Sequence, residues 1–227
     1  MSAGIIAAGD GSRFKMSGIK IHKPMIPVSG FPLIGHTLKN LERAGFKRVV
    51  IIFNESEIEC VGWVQNHFKG LEFEFIVKST QSSFESFFLV GKKLGKGRHL
   101  ITTVDSICSS RDLLKMAQFP LQPNHNLYLG VTEWVDDEKP LWVQMEEKTN
   151  RITALGISSG KSATAGFYNV PDEIFSLKVD QKFSSLRVFL KWLVEKGVPV
   201  YGVLLSKVVD VDSPRDVQSA EEMLLSG

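Results

Sequence analysis

The chain has 227 residues, 43% of them hydrophobic, which suits one α/β domain with a sizeable core. Its 27 Lys and Arg against 25 Asp and Glu leave a formal net charge of only +2, which excludes a surface built for bulk binding of nucleic acid or of an anionic membrane. Cys60 and Cys108 lie far apart without metal-ligand spacing, so neither a zinc site nor a disulfide framework is expected, and buried, unreactive thiols are. No signal-peptide pattern precedes the first strand and no apolar run approaches a membrane span, so the expected location is the cytoplasm.

The apolar run Ile5 to Ala8 predicts a buried strand, and Gly9, Asp10 and Gly11 follow it at once. Glycines there let the backbone turn sharply and bring its N–H groups close to a ligand. Arg13 stands two residues after the second glycine, and Lys23-Pro24 follows ten residues on. A strand breaking into a glycine turn that carries an Arg and a Lys is expected to cradle a polyphosphate, since backbone donors and cations neutralise its oxygens; the plain alternative is a turn with solvated basic residues. A dinucleotide fingerprint would need a glycine where Phe14 stands, and no Gly-Lys-Ser/Thr closes the loop as a Walker A motif would.

Pro32 to Ala44 reads as a helix with an apolar stripe of Leu33, Ile34, Leu38, Leu41 and Ala44, stopped by Gly45. Arg48 to Phe53 predicts a buried strand, and Ser56-x-x-Glu59 a capping box opening a helix that closes near Gly70. Glu72 to Val77 alternates as a strand with one polar side, and a serine-rich stretch, Ser79 to Ser83, leads into a helix from Phe84 to about Leu94. His99 to Val104 is a strand ending in Asp105. Asp105 also suits a cap for the following turn, and Arg111 and Asp112 read as a solvated helical first turn. Strands alternating with helices imply a largely parallel sheet covered on both faces. In such a sheet ligands bind beyond the carboxyl ends of the strands, where Asp105 and the glycine turn both lie.

Asn126 to Val135 predicts a strand, closed by the solvated charge run Asp136 to Lys139. Leu141 to Glu146 and Arg151 to Leu155 read as strands joined by a Thr149-Asn150 turn, and Ala163 to Val170 as another strand. Phe183 to Lys196 is an amphipathic helix and Pro199 to Leu205 a strand. In the closing run from Val208 to Asp216, Ser213 and Asp216 cap a last helix with Pro214 in its first position.

Ala8-Gly9-x-Gly11-x-Arg13, Lys23-Pro24-Met25, Pro27-Val28 and Gly30-x-Pro32-Leu33-Ile34 together resemble the opening motif of the nucleotidyltransferases that make nucleotide sugars, the family of glucose-1-phosphate thymidylyltransferase and mannose-1-phosphate guanylyltransferase. The resemblance covers most of the chain and is weakest on the acceptor side. It implies one Rossmann-like domain over residues 1–227, a three-layer α/β/α sandwich with a mixed, mostly parallel sheet and an acceptor-side hairpin region at about 126–170. It implies an enzyme that joins an NTP to a sugar 1-phosphate and releases pyrophosphate. Arg13 and Lys23 would be catalytic, and Ala7, Ala8, Gly9, Asp10, Gly11 and Ser12 would bind nucleotide. Ser82 and Ser83 would meet the base, with Ser83 standing where the family has glycine. Asp105, with Asp210 or Asp212, would hold Mg²⁺. The family's Glu-Lys-Pro acceptor motif is absent, and Lys161 is the cation nearest its place, either a phosphate ligand or a solvated loop lysine. The expected partners are an NTP and a small phosphorylated acceptor, with neither nucleic acid nor membrane. Other acceptors (a molybdenum cofactor, phosphocholine or a sugar acid) stay open, as does a nucleotide-binding regulator without turnover.

Overall fold

The computed structural model describes residues 1–119, 127–179 and 181–225. In chain order the strands are β1 (Ser2–Ala7), β2 (Pro27–Val28), β3 (Phe31–Pro32), β4 (Arg48–Phe53), β5 (Glu72–Val77), β6 (Arg98–Thr103), β7 (Ser106–Cys108), β8 (Leu127–Thr132), β9 (Trp142–Met145), β10 (Ile152–Ile157), β11 (Ser162–Pro171), β12 (Val200–Leu205) and β13 (Val208–Asp210). The helices are α1 (Ser12–Met16), α2 (Leu33–Arg43), α3 (Glu59–His67), α4 (Ser83–Leu94), α5 (Ser110–Gln118), α6 (Leu186–Glu195) and α7 (Pro214–Leu225). Asn126, the expected first residue of the eighth strand, lies outside the described residues.

The main sheet runs β10-β9-β11-β6-β1-β4-β5, with β8 along β11 and β12 outside β8. β1, β4, β5, β6, β8, β9 and β12 point one way and β10 and β11 the other, so the sheet is mixed but mostly parallel, as expected. Period-two alternation divides its faces. Ala3, Ile5, Val49, Ile51 and Phe53 pack under α2, α3 and α5, while Ile6, Val50, Ile52 and Ile101 pack under α4 and α6. The result is three layers. A third cluster joins Phe14, Ile26, Val28 and Leu33 to Ile107, Val209 and Val211 and to Ala220 and Met223 of α7. It seats the glycine turn and the Lys23 turn against the antiparallel β7–β13 ribbon. Phe14, which breaks the dinucleotide fingerprint, is one of its buried members.

Local chemistry moves some boundaries. The capping box is Asn54 and Glu57, not Ser56 and Glu59. Asn54 Oδ1 accepts the Ser56 N–H at 3.1 Å and Glu57 Oε2 accepts the Asn54 N–H at 3.1 Å, so a 3₁₀ turn precedes α3. α6 starts at Leu186 because the Ser185 hydroxyl accepts the Val188 N–H at 3.3 Å. Asp112 is not solvated: it is buried on α5, and its carboxylate accepts the Ser206 N–H at 3.1 Å and the Ser206 hydroxyl at 2.5 Å. The charge run after β8 is likewise anchored, with Asp137 on Arg187 of α6 at 3.2 Å and Asp136 near Arg215 of α7 at 3.6 Å. Both cysteines are buried, as expected, and burial pushes the Cys60 thiol up to about 12.

Candidate active site

The cleft opens beyond the carboxyl ends of β1, β5 and β6. It encloses about 290 Å³ and is walled by Ala8, Gly9 and Asp10 on one side, Thr80 to Ser83 on the other, and Lys23 and Asp105 at the base. Gly11 adopts φ 57° and opens α1; a Cβ there would come within 3.1 Å of the Lys23 Cβ. The second glycine therefore serves both the left-handed turn and the close approach of Lys23. Ala7 ends β1, buried, and Ser12 begins α1, which carries Arg13.

Lys23 is 9% exposed, and its ammonium donates to Asp105 Oδ2 at 2.5 Å and to Asp212 Oδ1. Arg13 Nη1 donates to Asp212 Oδ2 at 3.0 Å. Four side chains from distant parts of the sequence thus form one charge cluster. Burial alone would disfavour the Lys23 ammonium, but Asp105 and Asp212 outweigh it and hold Lys23 protonated well above its ordinary range. The same partnership overcomes burial at Asp105 and keeps its carboxyl below the usual value.

Asp210 and Asp212 divide in role. Asp212 faces the two cations. Asp210 pairs with Ser106 across the β7–β13 ribbon and accepts the Ser106 hydroxyl at 2.5 Å, while the next N–H, of Val211, donates to the Asp105 carbonyl at 3.0 Å. Burial, reinforced by the charge of Asp105, pushes the Asp210 carboxyl up to about 7. Among the described residues no three His, Cys, Asp or Glu side chains cluster as a metal site. Two hard carboxylates, Asp105 and Asp210, near the glycine turn fit the donor chemistry of Mg²⁺, which takes one or two carboxylates and completes its shell with water and phosphate oxygens.

Ser82 and Ser83 line the cleft, yet their hydroxyls serve the protein: Ser82 Oγ accepts the Glu85 N–H at 3.3 Å and Ser83 Oγ the Leu186 N–H at 2.9 Å. Lys161 is not brought to this cleft. It is 82% exposed, pairs with Glu133 at 2.9 Å, and lies in a separate groove beside β9 and β10. Sequence reasoning passed over Tyr168, buried on β11, whose phenol is pushed up by burial and by the charges of Asp210 and Asp105. It also missed Thr103 and Ser106, whose hydroxyls meet at 2.8 Å between the two carboxylates. A tyrosine in a strand carries no spacing signal, and the close packing of Thr103 and Ser106 against Gly166 is a feature of the folded chain.

The chain belongs to the MobA-like NTP transferase domain family, whose model matches residues 3–128. It is 27% identical over 237 residues to the bifunctional protein GlmU of Methanococcus vannielii, covering 99% of this chain and 55% of that protein. It is 23% identical to the bifunctional IPC transferase and DIPP synthase of Aquifex aeolicus, covering 99% of this chain and 52% of the relative. The chain thus spans about half the length of the curated relatives it matches. Among solved structures, the inositol-1-phosphate CTP transferase from T. maritima superposes with a TM-score of 0.84 at 24% identity, over 100% of this chain and 96% of that one. A putative glucose-1-phosphate thymidylyltransferase from Bacillus anthracis gives 0.82 at 20% identity, over 98% and 95%. Both share this fold.

Proposed function

We propose that the chain transfers a nucleotidyl group from an NTP to a sugar 1-phosphate or a related polyol phosphate, releasing pyrophosphate with the help of Mg²⁺. The observation that carries this reading is Lys23, buried and charged between Asp105 and Asp212 at the foot of a glycine turn. Names among its relatives point the same way, since one is a mannose-1-phosphate guanylyltransferase and a structural neighbour is an inositol-1-phosphate CTP transferase.

In this reaction an acceptor phosphate oxygen forms a bond to the α-phosphorus, the bond from that phosphorus to the bridging oxygen breaks, and its electron pair leaves on pyrophosphate. The attacking oxygen is already anionic, so no general base is required and catalysis reduces to alignment and charge neutralisation. The Gly9–Gly11 backbone and Arg13 would hold the β- and γ-phosphates. Lys23 would turn from the carboxylates toward the α-phosphate and meet the charge that grows there. Asp105 and Asp210 would hold Mg²⁺, which when bound neutralises triphosphate charge. Asp210 is the stronger partner for it because Asp212 already faces two cations.

The test is pyrophosphate release from four NTPs against glucose, mannose and N-acetylglucosamine 1-phosphates and inositol 1-phosphate, with and without Mg²⁺. Mg²⁺-dependent release with at least one pair is expected. Nucleotide binding without release from any pair would favour a regulator instead.

A further inference from the structure

Residues 78–82 lead into the cleft wall opposite the glycine turn, where Thr80, Gln81 and Ser82 line the cleft, and they include no glycine. Their shape is held by a side chain that does not line that cleft, Glu85 in the first turn of α4. Glu85 Oε2 accepts the Gln81 N–H at 2.7 Å, Oε1 accepts the Lys78 ammonium at 2.6 Å, and the Glu85 N–H donates to Ser82 Oγ at 3.3 Å. One residue therefore gathers both ends of this segment. Two further contacts brace its middle: Ser79 Oγ donates to Glu55 at 2.8 Å, and the Thr80 and Ser86 hydroxyls meet at 2.7 Å. The Lys78 and Gln81 bonds hold the Glu85 carboxyl below its ordinary range, so the clamp stays charged at neutral pH.

The chemistry of this wall differs from that of the opposite one. Among the cleft-lining residues the cation is Lys23, at the base beside the glycine turn, with Arg13 joined to it through Asp212. The wall offers the neutral groups Thr80, Gln81, Ser82, Ser83 and Ser86, which suit a base or a ribose rather than phosphate. Rejecting a wrong base requires polar groups held so that a misfit leaves them unpaired, and a wall free to shift would adapt to any base.

We infer that Glu85 is a positioning residue for the nucleotide base: by fixing Lys78 and the Gln81 amide it sets the gap between residues 79–82 and the Ala8–Gly9 backbone, and with it the affinity for the base and the choice among bases. This rests on the proposal that the cleft binds an NTP. The test is calorimetric titration of the whole chain, and of E85A, E85Q and K78M, with ATP, CTP, GTP and UTP in Mg²⁺, and separately with pyrophosphate. E85A should bind the preferred NTP about tenfold more weakly, the worth of one charge-assisted hydrogen bond, and should flatten the ranking of the four. E85Q keeps an acceptor for the Gln81 N–H and should fall between, as should K78M. Pyrophosphate affinity should not change in any variant. The inference is overturned if E85A keeps the parental affinity and ranking, or if it loses pyrophosphate in the same proportion as NTP, which would mark a general loosening. Binding of pyrophosphate but of no NTP by the parent chain would overturn the nucleotide reading and this inference with it.

Discussion

Lys23 carries a positive charge that burial alone would disfavour, and the two aspartates that hold it protonated also keep it in place. In the proposed reaction it meets charge that develops only as the α-phosphorus is attacked, whereas Arg13 meets the triphosphate already present in the ground state. An interaction that strengthens in the transition state appears in the rate constant. Lys23→Ala should therefore lower kcat about 100- to 1,000-fold, the worth of one preorganised donor, while Arg13→Ala should also raise the KM for NTP. An unchanged kcat in Lys23→Ala, with only KM raised, would contradict the assignment. The two carboxylates of the closing run should also part company. Asp210→Asn removes the carboxylate that no cation meets and should shift the Mg²⁺ requirement sharply upward. Asp212→Asn frees Lys23 and Arg13 and should cost less; equal Mg²⁺ titrations for both variants would refute the division. Arg13, Lys23 and Asp105 could be read from sequence because each follows a strand or a glycine turn at fixed spacing. Asp112 and Tyr168 could not, because their burial is supplied by residues far along the chain.

At the scale of elements, Gly166 at the middle of β11 is where that strand turns. It has φ 72°, and a Cβ there would stand 2.0 Å from Ser106 Oγ and 2.7 Å from Thr103 Oγ1. The register of β11 against β8 shifts across this kink. Gly166→Ala would combine left-handed strain with overpacking and should destabilise the fold by about 3 kcal/mol. Urea midpoints should report it, and activity should fall beyond the loss of folded protein because the hydroxyls beside Asp105 and Asp210 move. A fully active variant of parental stability would show that the strand can rotate away. Hydrophobic periodicity gave the existence and type of most elements, from β4 to α6. Its boundaries failed where a side chain competed for the backbone: Asn54 captured the cap that Ser56 resembles, and Ser185 delayed α6. The reversal of β11 was also beyond the pattern, since a strand's direction depends on where the chain crosses, not on which residues alternate.

At the scale of the whole molecule, the parallel part of the sheet gathers buried ionisable groups beyond the carboxyl ends of its strands, and stability of the chain should carry that signature. Glu57, 3% exposed in the turn after β4, is pushed by burial from 4.5 up to about 7, and Asp210 is pushed from 3.8 up to about 7. In each case the folded state holds the proton more tightly than the unfolded chain. The stabilisation is complete below the unfolded value and is lost as pH rises through the folded one, a window of about 4 to 7. His99, whose ring is held neutral chiefly by burial, acts in the opposite sense and loses stability as pH falls below its ordinary 6.5. Asp105 and Glu85, held low by their lysine partners, lose stability only at still lower pH. These opposing slopes overlap, so the contribution of one group is best isolated by difference. Glu57→Gln keeps an acceptor for the Asn54 N–H and removes the titration. Relative to the parent chain it should gain stability between pH 5 and pH 8, by up to about 3 kcal/mol at 1.36 kcal/mol per pKa unit. Urea unfolding of both proteins at the two pH values measures this directly. A stability difference that stays constant from pH 5 to pH 8 would mean that Glu57 titrates as it does in the unfolded chain, and that the turn before α3 admits the water its burial excludes.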